Sequence, residues 1–362
     1  MKNILILGVS SAQCDAVQKL KEMGYFVHTA AKSADGPGAS ASDAFVDINI
    51  IDKERIAKYI MQNNIDIVYS VGSDLAMPTV SKVSEDLGLK HFVSYKTAEA
   101  CNKKNVMRNL TRGLDGSVPF EIVSSIEQSI ALPYPVFVKP ADSQGQRGIS
   151  LVKDEDELDS AILYAMKYSR NNLVIVERYV SGYEVSVNGY IVNNEVKFLL
   201  VSDRETWPQH EGLIHKHIID FQKEFPTQSI KKSVEAHLNA LKISNGPFYA
   251  QMKIENDAAF MIEITPRFDG CHMHKLIKYA TGVDLLEQTF NHLIENIEPN
   301  LQMQQRRSVT LEFQCFPPNE MINYDCFDKR TEYLEYQPYY KSGDVVRPVN
   351  GVYEKVGYYI YD

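Results

Sequence analysis

The N-terminal quarter of the chain alternates between two hydrophobic periods. Ile4 to Leu7 is a continuous apolar run that ends at Gly8, the pattern of a parallel strand covered on both faces. Ala12, Ala16, Val17, Leu20 and Met23 then recur at helical spacing, and Gly24 is placed to stop that helix. Tyr25 to Ala30 predicts the next strand, and a Gly/Pro-containing loop at Asp35 to Ala39 leads into an extended segment, Ala44 to Ile50. Asp52 is a candidate N-cap for a helix running to Met61. Ile65 to Ser70 predicts a further buried strand, followed by Gly72-Ser73-Asp74 and a helix ending near Gly88. Strand and helix alternating at this spacing predict a doubly wound, Rossmann-like α/β unit.

The pattern then changes. Lys96 to about Thr111 predicts a helical link, and a β-rich region begins near Val118. Val136 to Pro140 and Leu173 to Glu177 are clear strands, with a helical pattern from Asp154 to Ser169 between them. Further strands are expected at Glu184 to Ile191, Glu195 to Val201, Phe248 to Ile254 and Phe260 to Ile264. Arg204 to His217 reads as a loop and a candidate pocket wall, with Trp207 either in that wall or in the core. From about Ser308 the chain is strand-like and tyrosine-rich, ending in Tyr358-Tyr359-Ile360-Tyr361. Neither an internal repeat nor a low-complexity tract interrupts it.

Composition narrows the function classes. At 362 residues with 44% apolar content, the chain can bury sizeable cores without staples. A net charge of −9 argues against a nucleic-acid or anionic-membrane surface, both of which need a basic field. The five cysteines are scattered and odd in number, so a reducing cytoplasm is the expected setting. The opening apolar run is too short for a secretory or membrane-spanning segment. The first turn, Gly8-Val-Ser-Ser-Ala-Gln, lacks the GxGxxG pattern and speaks against nicotinamide binding. Gly72-Ser73-Asp74 sits where such folds place ligands, and is expected either to touch a substrate or to cap a helix.

The chemistry concentrates further along. In Pro135-Val-Phe-Val-Lys139-Pro-Ala-Asp-Ser143-Gln-Gly145-Gln-Arg147-Gly148, a strand delivers a lysine and a Gly/Ser loop follows at once. Such loops let backbone N–H groups curl around phosphate oxygens while the lysine neutralises charge. Val174-Ile-Val-Glu177-Arg178-Tyr179-Val180-Ser-Gly-Tyr-Glu184 places two carboxylates on either side of a turn. Glu184 can accept both ribose hydroxyls, and the backbone from Glu177 to Val180 can read an adenine edge. Gln251 and Glu263 fall on neighbouring predicted strands with both side chains facing one pocket. A carboxylate with an amide oxygen suits Mg²⁺, which keeps further sites for phosphate and water. Arg267 is positioned to reach a transferred phosphoryl group or a carboxylate bidentately.

In order and spacing, these motifs resemble the ATP-grasp superfamily, in particular its carbamoyl-phosphate-synthetase-like and carboxylate–amine ligase branches. The resemblance runs from the first α/β unit to the Gly282-Val-Asp284 helix. It implies an N-terminal Rossmann-like pre-ATP-grasp domain (1–95), an ATP-grasp domain (96–300, with a lid at about 118–180), and a β-rich C-terminal segment (301–362). It also implies nucleotide lysines at Lys103 and Lys139, with Lys104 as the alternative to the first. Ser143, Gly145, Arg147 and Gly148 would belong to a phosphate-covering loop, and Glu177, Arg178, Tyr179, Val180 and Glu184 to the adenine–ribose hinge. Gln251, Glu263 and Thr265 would hold Mg²⁺ (or Mn²⁺), with Thr265 standing where the family has Asn, and Arg267 would contact the transferred phosphate. The activity implied is ATP-dependent coupling of a small-molecule carboxylate to an amine through an acyl phosphate. Alternatives are phosphotransfer to a hydroxyl and a non-catalytic nucleotide-binding module. A homodimer is the default assembly for an enzyme of this kind. Cys271-His272-Met-His274 and His215/His217 offer HxH spacings for a transition metal, a short motif with low specificity. The segment after Arg267 is otherwise expected to line the acceptor pocket or to start a helix. Lys231-Lys232 is expected on a solvated helix face.

Overall fold

In the computed structural model, which describes residues 1–142, 148–349, 351 and 353–362, the first apolar run becomes β1 (Asn3–Leu7). It is followed by α1 (Ser11–Glu22), β2 (Phe26–Ala31), α2 (Pro37–Ala41), β3 (Ala44–Asp47), α3 (Lys53–Gln62), β4 (Ile67–Tyr69) and α4 (Met77–Leu87). The strands form a parallel sheet in the order β3-β2-β1-β4. Ile4 and Ile6 face one core with α1, while Leu5 and Leu7 face another with Val80 and Val83, so both faces of β1 are dry. Asp52 caps α3 by accepting from the Arg55 N–H at 3.1 Å. The loop after β2 contains the short α2, which starts on Pro37 as a first-turn proline allows.

The expected helical link is two helices, α5 (Tyr95–Asn102) and α6 (Lys104–Leu110). Lys103 between them is extended, with φ −107° and ψ 104°, and the break turns α6 toward the site. A small antiparallel sheet follows, built from β5 (Phe120–Val123), β6 (Val136–Pro140), β7 (Ser150–Val152), α7 (Leu158–Met166) and β8 (Val174–Arg178). Its strand order is β5-β8-β6-β7, and α7 packs Leu158, Ala161, Ile162 and Ala165 on it.

The remainder is one eight-stranded sheet with the order β13-β12-β9-β10-β11-β14-β16-β15. Its elements are β9 (Tyr183–Val192), β10 (Glu195–Trp207), β11 (His210–Ile219), α8 (Thr227–Ala240), β12 (Gly246–Glu255), β13 (Ala258–Thr265), α9 (Met273–Thr281), α10 (Leu285–Phe290), β14 (Val309–Phe316), β15 (Glu335–Pro338) and β16 (Glu354–Tyr361). The segment read as a loop, Arg204 to His217, is instead the tip half of the β10–β11 hairpin. Its alternation is masked by charged and histidine residues on both faces and by two register shifts near Thr206. Along β9 and β12, Val185, Val187, Ala250, Met252 and Ile254 pack in one core with α8, and Glu184, Ser186, Gln251 and Lys253 alternate with them onto the opposite face. Among the described residues, no helix is long and apolar enough to cross a membrane.

Gly72, after β4, meets the loop after β13. A Cβ at Gly72 would stand 2.7 Å from the Gly270 Cα, so the two backbones touch at the seam between the first unit and the large sheet. Gly72→Val should cost about 1–3 kcal/mol through overpacking. Urea denaturation checks this, and an unchanged midpoint would contradict the close approach.

Candidate active site

The polar face of the large sheet is set by strand alternation and one bulge. Gln251 pairs with Glu263, while the next residue, Met252, pairs with Met261, so Ile262 is the extra residue. The bulge reverses the local parity. Met261 faces the apolar core, and Glu263 faces outward beside Gln251. Arg108 of α6 clamps this bulge, donating from Nη1 to the Met261 carbonyl (2.8 Å) and from Nη2 to the Ile262 carbonyl (3.0 Å).

Arg108 also donates from Nε to Glu177 Oε1 at 2.5 Å, and Lys139 Nζ donates to Glu177 Oε2 at 2.6 Å. The triad is buried and joins β6, β8 and α6. Burial opposes ionisation of Glu177, yet Arg108 and Lys139 together hold its carboxyl down to about 2. Burial lowers the Lys139 ammonium to about 8, against the pull of Glu177 and helped by repulsion from Arg108 and Lys104. Lys103 is exposed and pairs with Glu99 at 3.1 Å. Lys104 is partly buried, and its charge acts on both Lys139 and Asp74, so of the two lysines it is the one turned inward.

Asp74 receives Arg267 bidentately, Nε at 2.6 Å and Nη2 at the second oxygen, and accepts the Thr265 hydroxyl at 2.9 Å. Burial opposes the Asp74 charge, but Arg267 and Thr265 hold its pKa below the ordinary carboxylate range. In the Gly72-Ser73-Asp74 segment, Ser73 Oγ accepts from the Ala76 N–H at 3.3 Å just ahead of α4, while Asp74 is engaged by Arg267 and Thr265. Thr265 spends its proton on Asp74. Glu184 accepts from Gln251 Nε2 at 3.0 Å and from Arg204 Nη1. With its amide N–H so committed, Gln251 keeps its oxygen for a cation, and Glu263 beside it supplies a second hard donor, which fits Mg²⁺.

The hinge from Glu177 to Val180 is pinned on both sides. Arg178 N–H donates to the Pro119 carbonyl (3.0 Å) and Tyr179 N–H to the Pro135 carbonyl (3.1 Å). The Val180 carbonyl accepts from Lys253 Nζ (3.1 Å). Ser143, Gly145 and Arg147 lie outside the described residues. Gly148, where the description resumes, has φ +76°, and a Cβ there would meet Pro140 Cγ at 2.8 Å.

The histidines divide. His272 uses both ring nitrogens, toward Asp15 (2.6 Å) and the Tyr339 hydroxyl (2.7 Å), and starts α9. His274 lies 3.1 Å from the same Asp15, so this pair joins the first unit to the large sheet. His215 stacks on Trp207 with ring centroids 3.8 Å apart. Lys231 and Lys232 are exposed, as expected. Asp74, Arg108 and Arg204 as partners of the predicted residues were outside the sequence reading. Their partners are 193, 69 and 20 positions away, and although Asp74 lies in the Gly72-Ser73-Asp74 segment, no local motif marks these pairings.

The family model described as D-ala D-ala ligase C-terminus matches residues 107–245. Over 184 residues the chain is 32% identical to D-alanine--D-alanine ligase of Sulfurimonas denitrificans, covering 48% of this chain and 52% of that one. The chain thus spans about half the length of this curated relative. Residues 107–245 are thus similar to the ATP-grasp carboxylate–amine ligases. The ATP-grasp fold extends over the whole chain in solved structures. L-amino acid ligase from Bacillus licheniformis aligns with TM-score 0.81 and 18% identity, covering 100% of this chain and 93% of that one. The biotin carboxylase domain of Hydrogenobacter thermophilus 2-oxoglutarate carboxylase, crystallised with MgADP, ADP and bicarbonate, aligns with TM-score 0.81 and 14% identity, covering 99% and 86%. On that fold Lys139 and Glu177 lie on the small sheet, Glu184, Gln251 and Glu263 on the large sheet, and Arg267 just after β13.

Proposed function

We propose that the chain is an ATP-dependent carboxylate–amine ligase. The γ-phosphoryl group of ATP moves to a substrate carboxylate oxygen, breaking the β–γ bond and releasing ADP. An amine then attacks the acyl carbon, forming the amide and expelling phosphate. The observation that carries this reading is the convergence of Lys139, Lys104, Arg267 and the Gln251–Glu263 pair on one polar sheet face. The MgADP crystallised with a fold neighbour agrees with it.

Each residue then has a physical task. Lys139 and Lys104 offset phosphate charge, and Glu177 fixes Lys139 in place. The hinge from Glu177 to Val180 borders the base, and Glu184 accepts the ribose hydroxyls. Gln251 and Glu263 would hold Mg²⁺, which when bound neutralises charge on the phosphates. Arg267, aimed by Asp74, stabilises the charge that develops on the transferring group. Thr265 donates its proton to Asp74 and keeps its oxygen lone pairs for the metal. Ser143, Gly145, Arg147 and Gly148 are assigned to covering the phosphates, which protects an acyl phosphate from water.

A phosphate placed beside Lys139 restores the proton that burial loosens. Just above pH 8, binding of a non-hydrolysable ATP analogue should therefore take up a proton, because the lysine pKa rises from about 8 on binding. Calorimetry in two buffers of different ionisation enthalpy reads the uptake, and Lys139→Met should abolish it.

The ligase reading is tested by ADP and phosphate release from the purified chain with Mg·ATP and pools of carboxylates and amines. Release that requires both classes, with an amide as product, supports it. A phosphorylated alcohol as the product, or tight nucleotide binding without release in any pool, overturns it.

A further inference from the structure

Beyond the nucleotide face, the same side of the large sheet carries a second set of buried polar groups. Arg204 on β10 and His217 on β11 are directly opposite in register, so their side chains leave the sheet together. The loop after Arg267 brings Asp269 and Cys271 over them, and β16 adds Lys355, whose Nζ lies 3.2 Å from Cys271 Sγ. The donor atoms of His217, Asp269 and Cys271 all lie within 4.8 Å of one another, and the three residues are buried. Yet Arg204 Nε, both ring nitrogens of His217 and Asp269 Oδ2 have no hydrogen-bond partner among the described residues. His217 Nε2 and Asp269 Oδ2 stand 3.8 Å apart, beyond a hydrogen bond. A buried unpaired donor or acceptor costs about 1–3 kcal/mol, so four such atoms in one place mark groups held for something else.

We propose that Arg204, His217, Asp269 and Lys355 bind a small zwitterion, an amino acid, as one of the two substrates of the ligation. This rests on the ligase reading above. The charges decide the ligand class. Two fixed cations, Arg204 and Lys355, suit a carboxylate, while the unpartnered Asp269 oxygen suits an ammonium group. His217 is neutral near pH 7, burial holding its pKa down to about 4, and so offers one donor and one acceptor. Arg204 also grips Glu184, the residue assigned to the ribose, which places the cluster beside the nucleotide face. A divalent metal fits the same atoms less well. It would face both cations and would have to displace the proton of a thiol that burial holds up to about 11.

The test reads binding directly. The whole chain, loaded with Mg²⁺ and a non-hydrolysable ATP analogue, is titrated with amino acids of both enantiomeric series by thermal shift and calorimetry. Amines and carboxylic acids bearing only one of the two charges serve as paired controls. At least one amino acid should bind while its single-charge counterparts do not. Asp269→Asn and Lys355→Met should each weaken that binding about tenfold or more, a loss of about 1.4 kcal/mol. Analogue binding by both variants verifies their fold. The proposal is overturned if no amino acid binds, if single-charge controls bind equally, or if both variants bind like the parent. Stoichiometric zinc in the parent that is lost in Asp269→Asn overturns it in favour of a metal centre. The two readings fail separately. Amino-acid binding without phosphate release in any pool removes the ligase and leaves the pocket. Release that both variants support normally removes the pocket and leaves the ligase.

Discussion

Glu263→Gln is expected to lower Mg·ATP-dependent phosphate release by about 10²–10³-fold, the scale seen when one preorganised electrostatic contact to a transition state is lost. The substitution keeps shape and a polar head, so melting temperature should barely move. Two effects add. The carboxylate offered to Mg²⁺ becomes a neutral amide, and Arg267 loses one of the anions that favour its charge. Steady-state release and the Mg²⁺ concentration dependence of turnover check this together. A variant that keeps its rate and metal dependence would remove Glu263 from the site. Gln251→Ala should cost less, because its amide brings no charge.

The sequence made the scaffold legible where one residue's environment is set by its near neighbours. β1 and β4 are covered on both faces and so read as unbroken apolar runs, and α1 and α3 show their stripes and caps directly. Lys139, Glu177 and Glu263 could be singled out as candidates because each lies near a strand end inside a short motif. What escaped depends on partners far along the chain. Arg108 looks like one more basic residue of a short helix, yet it is buried against Glu177 and two carbonyls of β13. The helix break at Lys103, which turns Lys104 and not Lys103 inward, leaves no proline or glycine to announce it. The β10–β11 hairpin hid for a related reason. Arg204 and His217, opposite each other in register, are buried polar residues, so hydrophobic alternation fails there.

The same burial that hides Arg108 from sequence makes Glu177 the residue whose loss should be felt most in stability. Glu177→Leu leaves Arg108 Nε and Lys139 Nζ facing apolar surface with no anion between them, and should cost about 3–5 kcal/mol. Glu177→Gln keeps an acceptor for one cation and should fall between the variant and the parent. The acid limb of the stability curve supplies an independent readout. Glu177 titrates near 4.5 in an ordinary setting and is held at about 2 in the fold. Its contribution is therefore complete above about 4.5 and is lost as pH falls through about 2. Urea denaturation from pH 7 downward should show a steeper loss for the parent than for Glu177→Leu, which has already forfeited that proton linkage. Turnover should fall as well, through geometry. Arg108 is the clamp on the Ile262 bulge, and a guanidinium released from Glu177 no longer fixes the two carbonyls that aim Glu263. A Glu177→Leu protein that matches the parent in midpoint, acid limb and rate would show that the triad neither stabilises the small sheet nor sets the bulge.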